Sequence, residues 1–156
     1  MGVTFAKVFA VEAKKPVVGV SSLDVIAANV TEPGAVCVLV DARVGQVYVA
    51  LYRNGRKTVE DGVASPRDVA GSLTADTVVI GDGLRRYRDV FVGVSKVVDD
   101  EAVWEPRASS VGRLGRARFE ASGGDDLKTL VPRYMGRPQA EMTWEASRNA
   151  PGRKSS

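Results

Sequence analysis

The chain has 156 residues, 44% of them hydrophobic and 26% charged, the composition of an ordinary globular domain or two small lobes. Lys and Arg number 22 against 19 Asp and Glu, so the net charge of +3 allows weak contact with RNA without requiring it. There is no histidine and one cysteine, which removes Ser-His and Cys-His nucleophiles and every His-ligated metal site. Any catalysis would rest on Asp, Glu, Lys, Arg, Ser or Thr. No apolar run has membrane-crossing length and no signal-peptide pattern opens the chain, so a cytoplasmic location without membrane contact is expected.

Residues 4–15 (TFAKVFAVEAKK) predict a helix with no capping residue before it. Residues 16–20 (PVVGV) predict a short strand, apolar on both faces, that needs a neighbour on each side. Ser21 and Asp24 stand at capping-box spacing, which predicts a helix over 22–29, closed by a turn at 31–34. Residues 35–41 then predict a buried strand that holds Cys37 as a small hydrophobe. A tight turn over 43–46 leads into a strand over 46–53. Asn54-Gly55 is a type I′ hairpin signal, so 57–63 should return antiparallel.

Ser65, with Pro66 at the first helical position, opens a helix ending near Leu73. Residues 77–80 predict a buried strand that runs into Gly81-Asp82-Gly83, a short helix through Tyr87, and a weak strand over 95–98. Ser109 or Ser110 should cap a helix to about Ala121, with Val111, Leu114, Ala117 and Ala121 on one face and Gly123-Gly124 as its stop. Residues 125–134 look extended, and the polar residues 148–156 should be disordered. A meander feeding alternating helix and strand implies an α/β fold with two lobes.

Four features carry candidate chemistry. Phe5, Val8, Phe9 and Val11 put apolar side chains around most of the first helix, more than packing on its own sheet uses. Asp41 ends a strand, where a carboxylate can bind metal or act as a base. The commoner role there is to fix a turn, and no second carboxylate lies nearby in sequence, so no catalysis is assigned. Gly81-Asp82-Gly83 is placed to cradle phosphate, although a plain strand-to-helix turn is the commoner use of such a loop. Arg85, Arg86 and Arg88, then Arg113, Arg116 and Arg118, form two basic clusters that suit a solvated helix face or a nucleic-acid backbone. Trp104 and Trp144 are expected to be packing residues.

Three segments together resemble a known family. They are Lys15 through Asp24 (KPVVGVSSLD), Asp41 through Tyr48 (DARVGQVY) with Ala50-Leu51-Tyr52, and Leu130 through Met135 (LVPRYM) with Ala140-Glu141. In this order the chain resembles TsaB, the accessory subunit of the bacterial machinery that makes threonylcarbamoyladenosine at position 37 of tRNA. The resemblance implies a two-lobed actin-like ATPase (ribonuclease H-like) fold with most of the first lobe missing. Residues 1–31 would be a remnant of that lobe, 32–147 the second lobe, and 148–156 a tail.

The resemblance also implies partners. A transferase subunit, TsaD, does the chemistry with a metal held by histidines, and a small ATPase, TsaE, joins the pair. tRNA is met through the complex. The first helix would contact the transferase through Phe5, Val8, Phe9 and Glu12, with a homodimer as another use of that face. Gly81, Asp82 and Gly83 would be a degenerate phosphate loop. With no histidine, the chain is expected to be non-catalytic and without a metal or cofactor, with ATP and magnesium relevant only in the assembled complex. An actin-like ATP-binding or ATP-hydrolysing enzyme using Asp41 and Asp82, or an inactive fragment, are the alternatives.

Overall fold

The computed structural model describes residues 2–132 and residue 135. The elements in chain order are α1 (Gly2–Glu12), α2 (Ser22–Ala27), β1 (Ala35–Arg43), β2 (Gln46–Arg53), β3 (Arg56–Ala64), α3 (Pro66–Ser72), β4 (Val78–Ile80), α4 (Leu84–Phe91), β5 (Lys96–Val97), α5 (Glu101–Trp104) and α6 (Ala108–Ser122). The strands form one sheet in the order β3-β2-β1-β4-β5. The β1–β2–β3 meander is antiparallel, while β4 lies parallel to β1 and β5 parallel to β4.

The centre of the sheet is β1. Val36, Cys37, Val38 and Leu39 are all buried, and side chains alternate along a strand, so both faces of β1 are covered. Val79 and Ile80 of β4, Val47, Val49 and Ala50 of β2, Leu23 and Ile26 of α2, Val69 of α3, and Leu84 and Phe91 of α4 complete the core. Cys37 is the expected buried hydrophobe, and desolvation pushes its thiol up to about 12. No helix among the described residues is long and apolar enough to cross a membrane.

The turns obey local chemistry. Asn54 (φ 51°) and Gly55 (φ 73°) both take the left-handed conformation that a type I′ hairpin requires. The first hairpin is less comfortable. Arg43 (φ 63°) and Val44 (φ 50°) hold left-handed backbone before Gly45, and for a β-branched residue that conformation is strained. Val44→Asn should therefore raise stability by about 1 kcal/mol, read as a higher urea midpoint at unchanged slope. An unchanged or lower midpoint would mean that the turn relaxes around Val44.

Several expectations need correction. Residues 16–20 are extended but form no strand: they have no ladder partner among the described residues. Their backbone is held from one side instead, by Asp125, whose N–H donates to the Val17 carbonyl at 2.8 Å. The capping box at α2 is half made. Ser21 Oγ accepts from Leu23 N–H, but the Asp24 carboxylate turns away to Tyr52 and Lys57. α4 runs past Tyr87 to Phe91, because Leu84 and Phe91, two turns apart, are both buried; Tyr87 itself is a kink.

α5 was missed by sequence pattern; its signal is Asp100, whose side chain accepts from Ala102 N–H. α6 starts at Ala108 without a side-chain cap, and Ser110 is buried rather than capping. Of its expected apolar face only Leu114 is even half-buried, while Val111, Ala117 and Ala121 are exposed. Residues 125–134 were expected to be extended; residues 127–129 instead turn, with Leu130 N–H donating to the Asp126 carbonyl at 2.8 Å. Residues 133–134, Trp144 and the 148–156 tail lie outside the described residues.

Candidate functional site

The first candidate is the outward face of α1. Val3, Ala6, Lys7 and Ala10 turn inward, and Lys7 Nζ donates to the Leu130 carbonyl at 3.0 Å. Helical spacing then points Phe5, Val8, Phe9 and Glu12 the other way. Phe5 is 74% exposed, Phe9 64%, and Val8 and Val11 58% each. Four large apolar side chains in contact with water on one short helix make a contiguous patch, the usual mark of an interaction surface.

The second candidate is the crevice at the carboxyl ends of β1 and β4. In open α/β sheets, ligands bind there. Asp41 and Asp82, far apart in sequence, meet at this point: Asp41 N–H donates to Asp82 Oδ1 at 3.0 Å. Arg85, Arg86, Glu101 and Trp104 complete the crevice. Asp41 also performs its turn role, its Oδ1 accepting from Arg43 N–H at 2.9 Å. Trp104 is buried, and its indole N–H donates to the Val98 carbonyl at 2.8 Å.

Gly81-Asp82-Gly83 lies flush against β1. Gly83 N–H donates to the Leu39 carbonyl at 3.1 Å, and the N–H groups of Leu84, Arg85 and Arg86 bond to carbonyls of Gly81, Asp82 and Gly83. A phosphate cradle needs amides aimed outward. Here four successive amides are spent on closing the turn.

The basic clusters are largely paired. Arg85 meets Glu101 at 2.7 Å, Arg88 meets Asp99 at 2.7 Å, Arg116 meets Glu120 at 2.7 Å, and Arg118 meets Asp125 at 2.6 Å. The Arg88 pair is bidentate, and it holds the Asp99 carboxyl below the usual carboxylate range. Arg113, Arg116 and Arg118 all stay exposed, but Arg118 also donates to the Gly19 carbonyl, so it is engaged within the chain.

Sequence reasoning did not find a third cluster. Lys57 Nζ sits 2.7 Å from Asp24 and 2.5 Å from Asp61, largely buried between them. Tyr52 OH donates to Asp24 at 2.8 Å, and Ser21 Oγ donates to Asp61 at 2.7 Å. Burial by itself pulls the Lys57 ammonium down, but its hydrogen bonds to Asp24 and Asp61 outweigh that and leave it above its ordinary value. Burial and the neighbouring Asp24 carboxylate push the Tyr52 phenol far up. These residues come from the start of α2 and both strands of a hairpin, so only the fold assembles them.

A family model described as "TsaD: tRNA N6-adenosine threonylcarbamoyltransferase" matches residues 1–144. The chain belongs to this family. It is also 28% identical over 155 residues to the tRNA threonylcarbamoyladenosine biosynthesis protein TsaB of Bacillus subtilis (strain 168), an alignment that covers 92% of the chain and 66% of that protein. Two solved structures share its fold. A protein with similarity to peptidase YEAZ from Pseudomonas aeruginosa superposes with a TM-score of 0.73 at 23% identity, over 86% of this chain and 66% of that one. YeaZ from Pseudomonas aeruginosa gives 0.70 at 22% identity, over 85% and 65%. The chain thus spans about two thirds of the length of the TsaB relative, 66% of it. The mixed sheet and its helices are those of the actin-like fold that the resemblance implied.

Proposed function

We propose that this chain is an accessory, non-catalytic subunit in the synthesis of threonylcarbamoyladenosine on tRNA, and that it docks onto the transferase subunit through the outward face of α1. The observation that carries this reading is the exposed apolar face itself, with Phe5 at 74% and Phe9 at 64% exposure. The absence of histidine from these 156 residues supports it, because they cannot supply the imidazole ligands that the resemblance gives to the transferase's metal. The family match and the likeness to TsaB name the pathway. In this reading TsaD is the direct partner, TsaE joins the pair, tRNA is met through the assembly in the cytoplasm, and the same helix face serves a homodimer when the transferase is absent.

Co-purification with the transferase subunit tests the proposal. Wild-type chain should be retained, and the Phe5→Ser, Phe9→Ser double variant should lose at least tenfold in affinity at an unchanged melting temperature. Two phenylalanines that the complex would bury carry enough area for a loss of that size. A folded wild-type chain that never associates would sink the reading.

One observation favours a second reading, an ATP-binding protein: the convergence of Asp41 and Asp82 at the carboxyl end of the parallel strands. Against it stand the inward-turned amides of residues 83–86. Titration calorimetry with ATP and magnesium separates the two, since micromolar binding by the isolated chain would favour the enzyme.

A further inference from the structure

α1 has little of its own to hold it in place. Ala10 is its one buried residue, its first turn carries no acidic side chain and its last turn no basic one. A helix of 11 residues without those aids is marginal in water, so its order depends on the chain beneath it. That chain is the far end of the sequence, residues 118–130.

Asp125 is the centre of the support. Its N–H donates to the Val17 carbonyl at 2.8 Å, and its Oδ2 accepts from Gly19 N–H at 2.7 Å. Its Oδ1 lies 2.6 Å from Arg118, which itself donates to the Gly19 carbonyl. Gly123 (φ +77°) turns the chain off α6, and Gly124 lets it run against residues 16–20: a Cβ there would lie 2.9 Å from Pro16 Cβ. Asp126 then sets the next turn, its Oδ1 accepting from Lys128 N–H at 2.9 Å and its carbonyl from Leu130 N–H at 2.8 Å. The turn delivers Leu130 to α1. The Leu130 carbonyl accepts from Lys7 Nζ at 3.0 Å, and the Leu130 side chain lies 3.2 Å from where a Cβ on Gly19 would stand.

α1 and residues 16–20 are also joined firmly to each other. Lys14 (φ 49°) reverses the chain, and Lys15 N–H donates back to the Ala10 carbonyl at 2.9 Å. Past them, Ser21 is fixed separately, by Asp61 and by its cap on α2. We propose that Asp125 is a positioning residue for the docking face: through Val17 and Gly19 it sets the pose of α1, and α1 with residues 13–20 opens as one unit, hinged before Ser21, when its carboxylate is removed. A partner that binds only the held pose has its apparent affinity scaled by the fraction of molecules that hold it. That the face meets a transferase rests on the function proposed above; the brace stands without it. Neither Asp125 nor Arg118 belongs to the hydrophobic core, so the sheet keeps its packing when the carboxylate goes.

Backbone amide exchange and transferase binding on the full chain test it. In the wild type, the hydrogen-bonded amides of α1 should exchange faster than those of β1, because they open without global unfolding. Asp125→Ala should speed α1 exchange at least tenfold and weaken transferase binding at least threefold, with Phe5 and Phe9 untouched. Asp125→Asn keeps an acceptor for Gly19 N–H and should recover part of both losses. Val79→Ala, a cavity in the core, should lower the denaturant midpoint at least as much as Asp125→Ala, yet leave α1 exchange at the wild-type rate. Unchanged α1 exchange in Asp125→Ala, an equal effect of Val79→Ala, or faster exchange at undiminished transferase affinity would overturn the inference. Should the wild type bind no transferase, faster α1 exchange in Asp125→Ala still upholds the brace, and the function proposed above is what falls. If Asp125→Ala does not fold, Asp125→Asn takes its place in the same comparison, with the same direction expected.

Discussion

Gly81→Ala should destabilise the protein by at least ~3 kcal/mol, and in the simplest outcome it yields no folded material. The site has no room. A Cβ on Gly81 would lie 2.0 Å from the Leu39 carbonyl oxygen and 2.9 Å from its carbon, both main-chain atoms of the central strand. Gly81 also holds φ +114°, which L side chains rarely adopt. Relief would require moving β1 itself, buried on both faces, and would break the Gly83 N–H bond to Leu39. Gly55→Ala is the control. It shares a positive φ (+73°) but meets nothing within 4 Å, so it should cost only about 1 kcal/mol. Denaturant midpoints of the two variants separate crowding from backbone conformation. A Gly81→Ala protein that folds with a loss below 1 kcal/mol would show that β1 yields, and the close packing of the loop on the sheet would lose its claimed importance.

Lys57→Met should cost about 3 kcal/mol. It keeps the aliphatic stem and removes the cation that Asp24 and Asp61 share at 2.7 and 2.5 Å. Two carboxylates, Asp61 buried and Asp24 partly exposed, then face each other without the cation between them, and of the links between α2 and the hairpin only the Tyr52–Asp24 and Ser21–Asp61 hydrogen bonds are left among those described. Adding Asp61→Asn to Lys57→Met should cost less than the sum of the single changes, the signature of direct coupling.

The pH dependence follows from the direction of the Lys57 shift. The folded-state value is raised above the ordinary 10.5. The contribution to stability is therefore complete below about pH 10.5, where the ammonium is charged in both states, and fades as pH rises through the higher folded-state value. The gap between wild type and Lys57→Met should be flat from neutral pH to about 10 and should narrow above 10.5. Urea titrations across that range check it, and a Lys57→Met loss under 0.5 kcal/mol at neutral pH would demote the cluster to a surface pair.

The meander was legible because its signals are local. Asn54-Gly55 marks its own turn, and the short run over 35–40 is apolar at every position and rich in valine, which suits a strand covered on both faces. Ser65-Pro66 and Gly123 mark helix ends by the same kind of short-range chemistry. Other sites were not legible. Asp24 looked like a capping residue because Ser21 stands three positions before it, yet a stronger pair of partners, Tyr52 and Lys57, arrives from a hairpin far along the chain. Asp41 looked solitary because Asp82 reaches it only once β4 docks beside β1. Residues 16–20 have a strand's composition, but a strand is defined by its neighbour, and the chain meets them with Asp125 and Arg118 instead of a ladder.

Sequence by itself settled what this protein lacks and where its chain turns: no imidazole for metal or nucleophile chemistry, a buried central strand, hairpins and helix ends set by Asn, Gly, Ser and Pro. Those features depend on side-chain identity or on contacts within a few residues. Tertiary structure decided which apolar faces stay open on α1, which charges are shared around Lys57, and how Asp125 and Arg118 hold the backbone of residues 16–20. Each of these depends on what packs beside a residue from a distant part of the chain, and periodicity cannot encode that.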